Sequence, residues 1–282
     1  MNTIAQLQAR AALELKGLYD EGETRFLCAV ILEKLFHLAK IDIHLRKHEP
    51  LGEEGVNKFL AIVAELQRGR PYQYVLGEAV FAGLTFRLNE ETLIPRPETE
   101  ELVEWASASL GASDRALDVG TGSGCIAIAL AARVPGVEWH GVDISTAAAR
   151  VAAENARANG VEVTFLTRDI TRHEEHAWPA YDLIVSNPPY VRLSERASMH
   201  DRVVKHEPGR ALFVPDEDPL LFYRVIAGFG RRHLSPGGKL FFEINEALRA
   251  GVVALLEGSG YRRVESRRDL FGKDRMVRCE RE

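Results

Sequence analysis

The sequence contains only three cysteines, and they lie far apart. Cys28, Cys125 and Cys279 form no Cys-x-x-Cys pair, and such a set is typical neither of a disulfide framework nor of a zinc module. We therefore expect all three to be buried small hydrophobic residues. The nine histidines show no His-x-His or His-Glu-x-x-His spacing, so no metal site is predicted.

Long apolar runs are also missing. No stretch reaches the roughly 18 consecutive apolar residues that a membrane-spanning helix needs, because the richest helical stretch, residues 26–38, contains Glu33, Lys34 and His37. Residues 1–10 lack the basic region, apolar run and cleavage site of a secretory signal. We expect a cytoplasmic protein that does not cross a membrane.

Neither sign of charge is in large excess. The 282 residues include 36 Lys plus Arg and 41 Asp plus Glu, a net charge of −5. The first 90 residues contain 11 of the basic residues and 12 of the acidic residues. Proteins that bind phosphate backbones usually carry a basic excess. Acidic residues flank the arginine pairs at 262–263 and 267–268, and we expect these pairs and the pair at 231–232 to be solvated surface. Direct nucleic-acid binding is therefore not expected.

The length is typical of about two domains. Residues 1–70 predict helices, because apolar residues recur there at helical spacing, as in Ile4, Leu7, Ala11, Leu15 and Leu18. Further helices are expected from residue 26 and over 53–67. Aromatic and β-branched residues over 73–88, with two glycines at turn positions, predict a hairpin. We assign residues 1–70 to a helical substrate-recognition domain, 71–92 to a hairpin linker and 93–282 to a catalytic domain.

The third segment alternates strands and helices. Helices are expected from Pro97 to about residue 110, from Cys125, and over 146–159. Short apolar runs predict strands at 116–119, 137–142, 163–166, 183–185 and 239–244. This succession predicts an α/β fold with a doubly wound, mostly parallel, Rossmann-like sheet, and ligands at the carboxyl ends of its strands.

A glycine-rich turn joins the first of these strands to a helix. Such a turn brings backbone N–H groups close to a nucleotide-like ligand. The spacing is Gly-x-Gly-x-Gly rather than the Gly-x-Gly-x-x-Gly of dinucleotide sites, which favours S-adenosylmethionine over NAD. The predicted cofactor residues of this turn are Asp118, Gly120, Thr121, Gly122, Ser123 and Gly124.

Two acidic residues follow the next two strands. Asp143 can accept hydrogen bonds from both ribose hydroxyls of an adenosine. It is also placed to cap the helix from Thr146, although Ser145 suits that cap. Asp169 is placed to accept from the adenine amino group while Ile170 packs on the ring, and the alternative is a surface turn.

Asn187, Pro188, Pro189 and Tyr190 follow the apolar strand that ends near Val185. The Asn187 side-chain oxygen and the Pro188 carbonyl can each accept one hydrogen of an –NH₂ group, which directs the nitrogen lone pair towards a sulfonium methyl. The prolines fix the backbone, and Tyr190 offers a flat face to a planar group. We predict a catalytic and substrate-binding motif, with Asn187 also beside the cofactor.

Several segments together resemble the HemK/PrmC glutamine methyltransferases, and the likeness covers nearly the whole chain. Besides the glycine loop and the Asn-Pro-Pro-Tyr motif, they are residues 69–77, 93–100, 206–212 and 269–275. The resemblance implies a class I methyltransferase that uses S-adenosylmethionine. It implies N5-methylation of the glutamine in the Gly-Gly-Gln loop of class-1 peptide chain release factors.

Residues 214–220 depart from the family pattern, because prolines and acids replace its glycines. The resemblance therefore does not predict the shape of the loop over residues 214–220. Arg96, between two prolines, either lines the substrate entrance or pairs with Glu100 at helical spacing.

Three alternative functions remain. A glutamine methyltransferase of a ribosomal protein would share both motifs. An adenine-N6 DNA methyltransferase presents the same –NH₂ chemistry but needs a basic cleft and a target-reading module. A sensor that only binds S-adenosylmethionine would have no use for Asn187.

Overall fold

The computed structural model describes residues 2–282, which divide into two compact units. The first unit contains the chain up to Gly77 together with His200–His206, and the second contains Glu78–Met199 and Glu207–Glu282. The hairpin thus belongs to the second unit. Among residues 2–282 no helix is long and apolar enough to cross a membrane.

The first unit is helical. Its apolar residues at helical spacing, such as Leu7, Leu27 and Phe59, are almost completely buried in one core. A capping box at Thr3 and the Asp20 carboxylate satisfy backbone N–H groups where the first two helices begin. Its N-terminal helices are α1 (Ile4–Glu14), α2 (Glu21–Phe36), α3 (Lys40–Leu45), α4 (Glu53–Gln67) and α5 (Tyr72–Leu76).

The short helix Asp201–His206 completes this unit. Arg202 lies over the Tyr19 ring, 3.6 Å from its centroid, and its Nη1 is 3.0 Å from Glu23. It also donates to the Leu18 carbonyl. A segment far along the chain is therefore part of the helical unit, which the sequence did not indicate.

The second unit begins with an antiparallel hairpin, β1 (Glu78–Phe81) and β2 (Leu84–Arg87). The predicted hairpin started too early, because Tyr72–Leu76 is a helical turn that ends at Gly77 with φ +73°. Asn155, fully buried, accepts from the Arg87 N–H at 2.7 Å and donates to the Arg87 carbonyl at 3.0 Å. Its Nδ2 also donates to the Ser123 carbonyl at 2.9 Å. One side chain thus holds both the hairpin and the glycine loop.

A seven-stranded sheet forms the centre of the second unit. Its strands are β3 (Arg115–Val119), β4 (Glu138–Asp143), β5 (Thr164–Thr167), β6 (Tyr181–Ser186), β9 (Leu234–Glu243), β10 (Tyr261–Arg268) and β11 (Asp274–Arg281). They lie in the order β10-β11-β9-β6-β3-β4-β5. Strands β9, β6, β3, β4 and β5 are parallel, and β10 and β11 form an antiparallel edge. The predicted mostly parallel α/β fold is confirmed, but the two antiparallel strands were not predicted.

Helices connect these strands. They are α6 (Pro97–Ser107), α7 (Cys125–Arg133), α8 (Thr146–Ala158), α9 (Asp201–His206, of the first unit), α10 (Leu221–His233) and α11 (Arg249–Gly258). A small parallel pair, β7 (Val191–Arg192) and β8 (Phe213–Val214), lies outside the main sheet. The strand order reverses between β3 and β6, since β4 and β5 continue on one side of β3 and β6 and β9 on the other. Ligands of such sheets bind at this reversal.

The three cysteines are free; Cys28 and Cys279 are buried as predicted, whereas Cys125, the first residue of α7, is only partly buried.

Candidate active site

A cavity of about 360 Å³ lies at the carboxyl ends of β3, β4, β5 and β6. Eight of the predicted residues line it: Gly120, Gly122, Asp143, Asp169, Ile170, Asn187, Pro188 and Pro189. Asp118, Thr121, Ser123, Gly124 and Tyr190 are not among its lining residues. The reversal of strand order therefore brings the glycine loop, both acids and the Asn-Pro-Pro segment to one cavity.

The glycine loop turns sharply from β3 into α7. Gly122 has φ +54° and Gly124 φ +83°, a backbone conformation that other residues rarely adopt. A Cβ atom on Gly124 would lie 2.8 Å from Ile128 Cδ1 and 3.0 Å from Ala152 Cβ. Glycine is thus needed at position 124 for close packing of α7 and α8, and at 122 for the turn that faces the cavity.

Asp143 holds this loop. Its Oδ2 accepts from the Gly122 N–H at 2.9 Å, and its Oδ1 accepts from the Ser145 N–H at 2.8 Å. The α8 cap is Ser145, whose hydroxyl accepts from the Ala148 N–H. Because each carboxylate oxygen has further lone pairs, Asp143 can also accept from ligand hydroxyls in the cavity.

Asp169 begins the turn after β5. Its Oδ1 accepts from the N–H and the hydroxyl of Thr171, at 2.8 and 2.7 Å. The side chain thus caps a short 3₁₀ helix, Ile170–Glu175, which agrees with the alternative interpretation of Asp169 as a turn residue. Asp169 also lines the cavity.

Asp118 lies beneath the loop and is fully buried. Its Oδ2 accepts from the Thr121 hydroxyl at 2.7 Å, but its Oδ1 has no well-formed hydrogen bond. Burial raises the pKa of Asp118 to about 7, and the Thr121 hydroxyl and the Ala127 N–H oppose that rise. The buried carboxyl therefore keeps its proton to a higher pH than an exposed aspartate does.

The Asn-Pro-Pro-Tyr segment leaves β6 beside the loop. Asn187, Pro188 and Pro189 line the cavity, whereas the Tyr190 hydroxyl donates to Glu243 Oε1 at 2.9 Å. Burial raises the pKa of Tyr190, with Glu243 as the next cause. Tyr190 is therefore a protonated donor that contacts a buried acid.

Arg96 pairs with Glu207, not with Glu100. Its Nη2 is 2.6 Å from Glu207 Oε1, and the Glu207 side chain is 1% exposed. Glu207 Oε2 accepts from the Ile94 N–H at 3.2 Å. Glu100 instead accepts from the Ala82 N–H. The proposed Arg96–Glu100 pair was wrong; the observed pair fixes the segment before α6.

Other cavity residues were not predicted from the sequence. Arg210 donates to Glu91 and, at 3.0 Å, to the Ser145 hydroxyl. Arg210 lies in the 206–212 segment, so the resemblance itself contained that signal.

In the divergent loop, Asp216 accepts from the Ser194 hydroxyl at 2.7 Å, which holds the loop without the family's glycines. Among residues 2–282 no cluster of His, Cys, Asp or Glu is placed to hold a metal ion.

Comparison with known proteins gives matches along most of the chain. Residues 5–77 match the PrmC N-terminal domain, and residues 98–210 match the methyltransferase small domain. The release factor glutamine methyltransferase of Flavobacterium psychrophilum is 42% identical over 94% of both chains. The enzyme of the same name from Bacteroides thetaiotaomicron is 41% identical over 95% of this chain and 96% of its own.

Among solved structures, a methyltransferase from Pyrococcus furiosus is 16% identical and has a TM-score of 0.53. The match covers 81% of this chain and 98% of that one. This likeness concerns the fold alone.

Proposed function

The chain belongs to the release factor glutamine methyltransferase family, and we propose that it methylates the glutamine of the Gly-Gly-Gln motif in class-1 peptide chain release factors. The methyl donor is S-adenosylmethionine, and the product is the N5-methyl amide of that glutamine. The observation that carries the proposal is that Asn187 and Pro188 line the same cavity as Gly122 and Asp143.

The residues of the cavity fit the donor. S-adenosylmethionine supplies an electrophilic methyl group on a sulfonium. Gly120 and Gly122 leave room for the ligand beside the backbone, and Asp143 keeps lone pairs for ribose hydroxyls. In our proposal Asp169 accepts a hydrogen bond from the adenine amino group and Ile170 packs on the adenine ring; both residues line the cavity. Asp118, Thr121, Ser123 and Gly124 serve as support for the loop.

Asn187 and Pro188 would hold the acceptor. An amide nitrogen is a weak nucleophile because its lone pair is delocalised into the carbonyl. The Asn187 Oδ1 and the Pro188 carbonyl each accept one N–H of the glutamine side chain, which turns the nitrogen towards the methyl group. Pro189 fixes the backbone that carries both acceptors. In our proposal Tyr190 supports the motif through its hydrogen bond to Glu243.

The helical unit is the proposed recognition domain for the release factor. Residues 5–77 match the PrmC N-terminal domain, whereas the match to the methyltransferase small domain lies outside them, over residues 98–210. Contacts far from the reacting glutamine would add affinity for a whole protein without taking part in the chemistry.

The charge of this chain favours a protein substrate over DNA. The net charge is −5, and Arg210 and Arg96 are both paired with carboxylates. A ribosomal-protein acceptor would require the same amide chemistry, so only a direct assay can separate it from a release factor.

The test is incubation of the intact chain with S-adenosylmethionine and, in separate reactions, a class-1 release factor, ribosomal proteins and adenine-containing DNA. Peptide mass spectrometry should locate one added methyl group on the Gly-Gly-Gln glutamine. A release factor with that glutamine changed to alanine is the matched control. Methylation of the control, or of a ribosomal protein in preference, would refute the assignment.

A further inference from the structure

A buried acid lies behind the Asn-Pro-Pro-Tyr segment. Glu243 ends β9 and is 1% exposed. Its Oε2 accepts from the Thr99 hydroxyl at 2.6 Å, and its Oε1 accepts from the Tyr190 hydroxyl at 2.9 Å. Neither Thr99 nor Glu243 lines the cavity. The pair can therefore influence a ligand only through other residues.

The Thr99 hydroxyl connects this acid to Asn187. A hydroxyl has one hydrogen, and here it is directed to Glu243, since a carboxylate cannot donate. Towards Asn187 the Thr99 oxygen can only accept, and Asn187 Nδ2 lies 3.4 Å away. This distance is long, but hydrogen bonds in ligand-free sites often shorten when the substrate binds.

The direction of these hydrogen bonds determines which end of the Asn187 amide faces Thr99. The NH₂ end can donate to Thr99, whereas a flipped amide would place two acceptor oxygens against each other. The Oδ1 end is therefore left for the cavity. That is the end that must accept an N–H from the glutamine.

We propose that Thr99 and Glu243 are positioning residues that hold the Asn187 amide in the orientation required for methyl transfer. The proposal rests on the function proposed for Asn187. Glu243 also anchors Tyr190, so one carboxylate orients both ends of the motif.

A carboxylate is needed because both partners of Glu243 are donors. Glutamine at 243 would present an NH₂ group to one of the two hydroxyls. If that hydroxyl belongs to Thr99, its hydrogen becomes free to bond Asn187 Oδ1, which favours the flipped amide. Burial raises the pKa of Glu243 overall, whereas the hydrogen bonds from Thr99 and Tyr190 and the charge of Arg275 oppose that rise.

Three variants test the proposal. Thr99→Val keeps the shape and removes the hydroxyl, Thr99→Ser keeps the hydroxyl, and Glu243→Gln keeps the size and removes the charge. Tyr261→Phe is the matched control, since it removes another buried hydroxyl of the same unit, bonded to the Ala227 carbonyl at 2.8 Å. Single-turnover rates on a release factor and the Kd for S-adenosylmethionine are measured for each.

Thr99→Val and Glu243→Gln should slow methyl transfer about 10- to 100-fold, with the Kd for S-adenosylmethionine changed by less than about 2-fold. Thr99→Ser and Tyr261→Phe should stay within about 3-fold of the parent rate. A parental rate for Thr99→Val overturns the proposal. A Thr99→Ser rate as low as that of Thr99→Val also overturns it, because packing would then explain the loss.

A second measurement does not depend on the acceptor. The side-chain NH₂ resonance of Asn187, assigned by its loss in Asn187→Ala, should shift in Thr99→Val and stay in place in Tyr261→Phe. An unchanged resonance overturns the positioning role. A shifted resonance in a protein that methylates no release factor would refute the proposed function and leave the positioning role standing.

Discussion

Replacing Asp118 by asparagine should stabilise the protein above about pH 7, and its effect on stability should become more favourable as the pH rises from about 4 to about 7. The carboxyl is fully buried, and burial raises its pKa from 3.8 to about 7. Between these two values the folded protein holds a proton that the unfolded chain releases. The stability contributed by this group is therefore fully present below about pH 4 and is lost as the pH rises through about 7.

The size of the effect follows from the shift. Each unit of pKa corresponds to about 1.4 kcal/mol, so the change from 3.8 to about 7 sets an upper limit of roughly 4 kcal/mol. Asparagine places an NH₂ group where Oδ1 has no well-formed hydrogen bond, which costs about 1–3 kcal/mol. We expect a net gain of about 1–3 kcal/mol above about pH 7 and, because the cost of the unpaired NH₂ group does not depend on pH, a net loss of about 1–3 kcal/mol below about pH 4.

The assay is urea unfolding of the parent and Asp118→Asn, without S-adenosylmethionine, at several pH values between about 4 and 8. Glu217→Gln removes one carboxylate that is exposed and serves as the control for net charge. The difference between Asp118→Asn and the parent should rise by up to about 1.4 kcal/mol per pH unit. A difference that is constant with pH, or that falls, would refute the reasoning.

Three further predictions concern activity. Asp143→Ala should weaken binding of S-adenosylmethionine by about 2–3 kcal/mol in calorimetry; parental affinity would mean that Asp143 only supports the loop. Asn187→Ala should lose about 10²- to 10⁴-fold in single-turnover methyl transfer and keep its cofactor affinity, and near-parental turnover would contradict the amide-orienting role. The intact chain should methylate a whole release factor far better than a short Gly-Gly-Gln peptide, and a chain that starts at Glu78 should lose this preference while still binding the cofactor. If the shortened chain is folded and keeps the same ratio, the recognition role of the helical unit is wrong.

The parallel part of the fold could be predicted because its signals are local. Strands such as Arg115–Val119 are buried on both faces and appear as short apolar runs. The antiparallel strands Tyr261–Arg268 and Asp274–Arg281 were missed because Arg and Glu occupy most of the first. Most residues of Tyr261–Arg268 are exposed to solvent, so the apolar content of this strand is low.

The site was predictable to the same extent. Residues that follow strand ends could be assigned to one edge of the sheet from order alone. Their partners could not, because Thr99 and Glu243 are 144 residues apart and Arg96 and Glu207 are 111 apart. Local periodicity contains no information about such pairs. A pair with Glu100, an acid at helical spacing, was therefore one of the two interpretations of Arg96, and that interpretation was wrong.

The hydrogen bonds between Asn155 and Arg87 separate two kinds of constraint on the sequence. Arg87 offers Asn155 only its backbone N–H and carbonyl, so most side chains at 87 would serve equally well, and proline, which lacks the N–H, would not. Position 155 is the opposite case, since aspartate would turn an acceptor towards the carbonyls of Arg87 and Ser123. Most substitutions at position 87 should therefore leave these hydrogen bonds intact. Replacing the NH₂ group of Asn155 by an oxygen, as in Asn155→Asp, would disturb the hairpin and the glycine loop together.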